Sequence, residues 1–262
     1  SQFFEGQDLQ RLKKGTSEAE SVTLSFYVKG NAAATYTVEL YDADNNRSIS
    51  QRFSVTTSWS RVSLTYVGDT TGALDDDNAN SFIVNIWLHA GSDYTSGTQN
   101  TVWQTLAGTE RANSSDTSFF DSTDRTFFMT GVQLEIGDVS TPFEHRSFAD
   151  ELFSCQRYYS HAVTCIGPAS SGSLIQAFAS LPKQMRAAPS YSVSGALNFS
   201  DGYAADFVQS SGAVAIVANA APDGSPAQFL NFTNFSGLSA GEIMFFPRNS
   251  ANNNRIIADA EL

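Results

Sequence analysis

The sequence predicts an all-β protein. A jelly-roll-type β-sandwich occupies residues 1–145, a proline elbow and short helix link 146–159, and a second compact β domain fills 160–262. Three observations predict this. Apolar and polar residues alternate with period 2 in run after run, the pattern of half-buried strands. Clusters of Gly, Asn, Asp and Ser separate the runs at short intervals, as turns do. Only 16% of the residues are charged while 12% are aromatic, including 20 Phe, which suits neither disorder nor a helical bundle. A chain of 262 residues is long enough for two domains with separate cores.

Phe3 and Phe4 open a short strand, and 7–14 reads as a helical turn stopped by Gly15. In 21–29, Val22, Leu24, Phe26 and Val28 point one way and Thr23, Ser25, Tyr27 and Lys29 the other. In 35–41, Tyr36, Val38 and Leu40 oppose Thr37, Glu39 and Tyr41; a turn by composition follows at 42–46. Strands continue at 48–55 and 59–67, then an acidic loop spans 68–80. Residues 81–90 carry the strongest alternation, with Phe82, Val84, Ile86 and Leu88 on one face. A polar stretch over 91–124 precedes the closing strand, 125–136. About seven strands at this spacing indicate a sandwich of jelly-roll type. In the second half, strands are expected at 157–166, 173–181, 191–199, 204–209, 213–218, 228–235, 242–246 and 255–261. They are shorter and richer in Ala and Ser. Such small residues predict modest burial within one copy, with association of copies supplying the rest.

The junction is the most distinctive stretch. Val132, Leu134 and Ile136 alternate with Gln133 and Glu135, Gly137-Asp138 ends the strand, and Thr141-Pro142 forces an extended step. Ser147 then serves as an N-cap, with Asp150 and Glu151 in the first turn and Phe148 and Leu152 on one side. Gly131-Val132-Gln133-Leu134-Glu135, Gly137, Thr141-Pro142-Phe143-Glu144, Arg146, Glu151-Leu152 and Cys155-Gln156-Arg157-Tyr158-Tyr159 together resemble the junction of bacteriophage tail-fibre and related virion proteins. Residues 6–30 are similar to the opening of the carbohydrate-binding-module-like domain that often precedes that junction, and 256–262 to the natural end of such chains. The run from Leu181-Pro182 to Met185-Arg186-Ala187-Ala188-Pro189 resembles a recurrent step in fibre tips.

The resemblance implies a virion protein, assembled in the bacterial cytoplasm as a homotrimer beside other tail proteins, that adheres to a host-surface glycan. A capsid decoration or head-fibre protein and a polysaccharide depolymerase are the alternatives it leaves open. It also implies that Trp59 lies in the core.

A net charge of −12 argues against nucleic acid, whose backbone demands a basic stripe. No apolar run approaches about 18 residues, so no membrane insertion is expected. Cys155 and Cys165 read as two free thiols without zinc spacing, and no cofactor is expected. The chain starts at Ser1 and reads as a piece of something longer.

No catalytic residue is assigned. His89, His145 and His161 are scattered, and the one GxSxG, 237–241, is followed by a strand-like run where a nucleophile elbow needs a helix. The candidates are instead for glycan binding: Trp87, Asn85, His89, Tyr27, Tyr41 and Glu39, taken as one outward-facing set with Thr23, and Trp103 from the loop region. A sugar offers an apolar C–H face and a polar rim, so aromatic rings interleaved with amides and carboxylates suit it. Equally open is that Trp87 packs under the 91–124 stretch or a neighbouring subunit. Asp75-Asp76-Asp77-Asn78 could offer calcium ligands but lacks a closing Glu, and no metal site is assigned.

Overall fold

The structure is a computed structural model that describes residues 1–161, 164–194, 197–202, 206–208, 217–219, 224, 226–246 and 255–261. With 43% strand against 11% helix, and antiparallel pairing in every sheet, the fold is all-β. Parts of the expected strands at 204–209 and 213–218 lie outside the described residues. The chain divides into two compact units, Ser1–His145 and Arg146–Glu261.

The first unit contains β1 (Gln2–Glu5), two 3-10 turns, β2 (Val22–Gly30), β3 (Ala34–Asp42), β4 (Arg47–Val55), β5 (Ser60–Tyr66) and β6 (Asn80–Trp87). The turn α1 (Ser92–Thr95), β7 (Gln104–Thr105), two further 3-10 turns (Gly108–Glu110 and Phe119–Asp121) and β8 (Phe127–Ile136) complete it. They form a five-stranded sheet, β1-β6-β3-β4-β7, and a three-stranded sheet, β5-β2-β8. The apolar phases meet between the sheets. Leu24, Phe26 and Val28 of β2, Tyr36, Val38 and Leu40 of β3, and Phe82 of β6 are all buried, and Phe26 meets Phe53 edge-on at 5.1 Å.

Two segments fold back over the outer faces. Across the five-stranded sheet run residues 91–124, held by Ser50 N to Asn100 O (2.6 Å), Thr117 N to Thr35 O (2.9 Å) and Phe119 N to Leu88 O (2.8 Å). As a result Thr37, Glu39, Ser48 and Ser50, all on the polar phase, are fully buried. Over the three-stranded sheet lies the proline elbow. Gln133 accepts from Glu144 N (2.8 Å), Glu135 accepts from Thr141 N (3.1 Å), and Arg61 donates to the Thr141 carbonyl. The outward pair on β8 therefore clamps the elbow, which gives the Gln-Leu-Glu and Thr-Pro-Phe-Glu strings a shared physical reason. Gly131 bulges β8 with φ +61°, and a Cβ there would lie 3.2 Å from the Tyr27 ring.

The second unit opens with α2 (Phe148–Cys155), capped by Ser147, whose side chain accepts from Asp150 N at 3.2 Å. The helix forms as expected, yet Phe148 and Leu152 are 82% and 44% exposed. Then come β9 (Tyr159–His161), β10 (Thr164–Ser171), β11 (Leu174–Ser180), β12 (Ser190–Ser194), β13 (Asn198–Ser200) and β14 (Asp206–Val208). β15 (Val217–Asn219), β16 (Ala227–Phe232), β17 (Ile243–Phe245) and β18 (Arg255–Asp259) follow. The sheets are β14-β13-β17-β10-β11-β16-β15 and β12-β18-β9. Their core holds Phe199, Phe232, Phe235 and Phe246 together with Ala169, Ala177, Ala179, Ala258 and Ala260. Small residues are indeed buried here, but four aromatic rings fill the space they leave, so this unit has a substantial core of its own.

Candidate functional site

Strand register brings four of the expected residues together. Glu39 lies directly opposite Asn85 across the β3–β6 ladder, with Thr37 opposite Trp87. The Glu39 carboxylate accepts from Asn85 Nδ2 (3.1 Å) and Trp87 Nε1 (3.1 Å). Arg111, carried in by the covering segment, donates Nε to Oε1 (2.9 Å) and Nη2 to Oε2 (2.8 Å). Its guanidinium also sits 5.0 Å from the Trp87 ring and 5.6 Å from the Tyr41 ring, while Tyr94 stands 5.1 Å from Trp87. Burial opposes the Arg111 charge, but the hydrogen bonds to Glu39 and its negative charge outweigh that and raise the guanidinium pKa. Four donors thus satisfy one buried carboxylate. Glu39 is sealed from solvent, and Trp87 is flanked by Arg111 and Tyr94.

The remaining candidates go elsewhere. Thr23 and Tyr27 belong to the three-stranded sheet, so the single outward set expected from alternation is split between two sheets that face opposite ways. Tyr27 is exposed there, with the Arg61 guanidinium 5.9 Å from its ring. Trp103 is not a free loop ring: it packs against Phe82 (6.2 Å), lies 5.5 Å from Lys14 Nζ and donates Nε1 to Val67 O (2.8 Å). Trp59, expected in the core, is 48% exposed because β5 starts only at Ser60 and the ring lies at the sheet's rim. There Lys29 Nζ stands 5.4 Å from both the Trp59 and Phe128 rings.

His89 lies past the end of β6. Its Nδ1 is 2.9 Å from Ser118 Oγ and its ring meets Phe120 edge-on at 5.3 Å. Beside it opens a cleft of about 80 Å³ lined by Trp87, His89, Asn113, Asp116, Thr117 and Ser118. Asp116 is oriented from below by Thr37 Oγ1 (2.5 Å) and Arg52 Nε (2.7 Å). The cleft is far smaller than the roughly 300 Å³ that a small-molecule pocket starts from. It has room for one substituent of a sugar, not for a ring. Phe120, packed on the lining residue His89, is 76% exposed. Sequence reasoning passed over Arg111 and Phe120; the available signal was an arginine and a bare Phe pair inside an otherwise polar stretch.

A buried lysine gathers two carboxylates outside the 75–78 run considered for calcium. Lys14 Nζ pairs with Asp42 and with Asp69 (3.0 Å), and donates to the carbonyls of Thr71 (3.0 Å) and Gly72 (2.8 Å). Asn45 Nδ2 donates to Asp42, and Arg47 Nε to Asp69 at 2.7 Å. Burial works to raise the Asp69 pKa, but hydrogen bonds from Arg47, Lys14 and Thr71 N outweigh it, and the net shift is downward. In the acidic loop Asp77 caps Ala79 N (2.8 Å), and among the described residues no group of three or more His, Cys, Asp or Glu could hold a metal. The GxSxG segment is a turn: Gly237 and Gly241 take φ +80° and +91°, Glu242 N bonds Ser239 O (3.1 Å), and β17 follows directly. Both thiols are free; burial pushes Cys165 up to about 12. Compared with known protein families, curated proteins and solved structures, the chain matches none.

Proposed function

We propose that this chain is a non-enzymatic bacteriophage virion protein, the distal part of a tail fibre, that adheres to glycans on the host surface. The first unit is the carbohydrate-binding module, of jelly-roll type, and the junction strings at 131–159 support its placement among fibre proteins. The observation that carries the adhesive role is the small polar cleft at Trp87, His89, Asn113 and Asp116, with an open Phe120 ring packed on its His89 wall. A pyranose would stack its C–H face on Phe120 and lower one substituent among the amide, carboxylate and hydroxyl groups. So shallow a site binds weakly, in the roughly millimolar to micromolar range. Several copies on one fibre, three by the resemblance, raise residence through effective concentration.

Binding of the purified chain to host cells and extracted surface polysaccharide tests this. Phe120→Ala weakens binding about ten-fold or more with an unchanged circular dichroism spectrum. Equal binding by the variant removes the cleft from the proposal. Release of reducing ends from the polysaccharide would replace adhesion by depolymerisation.

A further inference from the structure

In β10, β11, β16 and β17 the side chains that point away from the core are larger and more apolar than soluble sheets tolerate. Inward lie Cys165, Ala169, Ile175, Ala177, Ala179, Leu230 and Met244. Outward, the register places Phe245 opposite Ile166, Ile166 opposite Phe178, and Phe178 opposite Phe229, one unbroken row across four adjacent strands. Phe178 and Phe229 meet edge-on at 5.6 Å, and Ile243 lies two residues from Phe245 on the same side. Strands that are apolar on both faces are those buried on both faces, yet these five side chains are 37–57% exposed.

From this we infer that the outward face of the seven-stranded sheet is where a second copy of the chain docks. Two observations choose that occupant. The first is charge: the chain carries a net −12, so copies repel over most approaches. Among the described outward residues of these four strands there is no Asp, Glu, Lys or Arg; Pro168, Ser170, Gln176, Ser180 and Asn231 fill the row's margins. This is a face on which two acidic chains meet without opposing charge. The second is size. An aromatic side chain covers roughly 150–250 Å² when buried, so the row offers on the order of 400 Å² still uncovered. That is half of the roughly 800 Å² per partner that a stable interface needs, and the uncharged margin supplies the remainder. A packed row of this kind forms the centre of an interface, and the small polar residues its rim.

The inference goes beyond adhesion and stands apart from it, because mass is measured without any glycan. Light scattering of the full chain at tens of micromolar should give a multiple of the monomer mass. Phe229→Glu, which sets a carboxylate against its own copy, should weaken association at least ten-fold and leave one chain, with wild-type circular dichroism. Phe245→Ser, at the other end of the row, should weaken it in the same direction, and carries the decision if Phe229→Glu does not fold. A wild-type mass of a single chain overturns the inference and frees the face for a different partner. An oligomer that persists in a folded variant overturns it too, and moves the contact elsewhere.

Discussion

At position 39 the side chain leaving β3 away from the core is a glutamate, closed over by Arg111, Asn85 and Trp87. At position 178 the side chain leaving β11 away from the core is a phenylalanine, and no segment among the described residues closes over it. Both strands alternate with period 2 and both pack their other face into a core. The first unit carries its own cover: residues 91–124 return across the sheet, and polar and charged side chains specify how that cover docks. The second unit has no such segment over β10, β11, β16 and β17 among the described residues. The lesson lies in what the outward side chains demand. Charged groups inside one chain need directed partners, so they fix a single arrangement. Bare aromatic rings need only area, which another copy can supply.

This contrast can be broken at its strongest point by Arg111→Met. Removing the guanidinium leaves Glu39 buried without a countercharge, which costs about 3–5 kcal/mol. Thermal unfolding of the first unit should fall by about 10 °C, given the few degrees that each kcal/mol moves a domain of this size. The same change at an exposed arginine such as Arg11 should do almost nothing. If Arg111→Met melts like wild type, the cover is not held by its charge.

A smaller effect tests the second unit's interior. Ala177 and Ala179 are fully buried under the outward Phe178. Ala177→Val adds volume where rings already fill the core, and should cost about 1–3 kcal/mol in urea unfolding. A stabilised variant would mean that the alanines mark unfilled space.

Acid separates the two units next. The Asp69 pKa is lowered in the folded state, so its contribution is present above the ordinary carboxylate value of 3.8 and is lost as pH falls through the depressed folded value. His161 behaves differently: burial first, then nearby Arg255, lowers its pKa from 6.5. Unfolded chains take up a proton there before folded ones do, so stability falls as pH drops from 6.5 towards the depressed value. The second unit should therefore begin to lose stability near pH 6, while the Asp69 contribution in the first persists to below pH 4. Unit-specific unfolding followed across pH checks the order, and His161→Gln should abolish the early loss.

The smallest expected change is Ser147→Ala. Loss of the cap costs about 1 kcal/mol locally. Because Phe148 and Leu152 lie open, the readout is faster amide exchange at the start of α2, not a lower melting point for either unit.

Much of the first unit was legible beforehand. The inward rows of β2, β3 and β6 follow from alternation, since period 2 sends successive side chains to opposite faces. Glu39, Asn85, Trp87 and Tyr41 were placed on one outward face by the same logic, and register does bring them together. Tyr27 was misplaced because alternation tells inward from outward without telling which sheet a strand joins. Trp59 was misplaced because one residue decides whether a ring is inside a strand or at its rim. Alternation could not pair Arg111 or Lys14 with its carboxylate, since each reaches it from a segment without periodicity.

By itself the sequence determined the period of each strand, the turn chemistry that ends it, and the cap that starts α2, because these depend on neighbours a few residues away. Tertiary structure alone decided which outward faces are covered. A loop's path over a sheet is set by long-range partners such as Arg111 with Glu39 and Arg61 with Thr141. No local rule encodes a meeting between residues 72 positions apart.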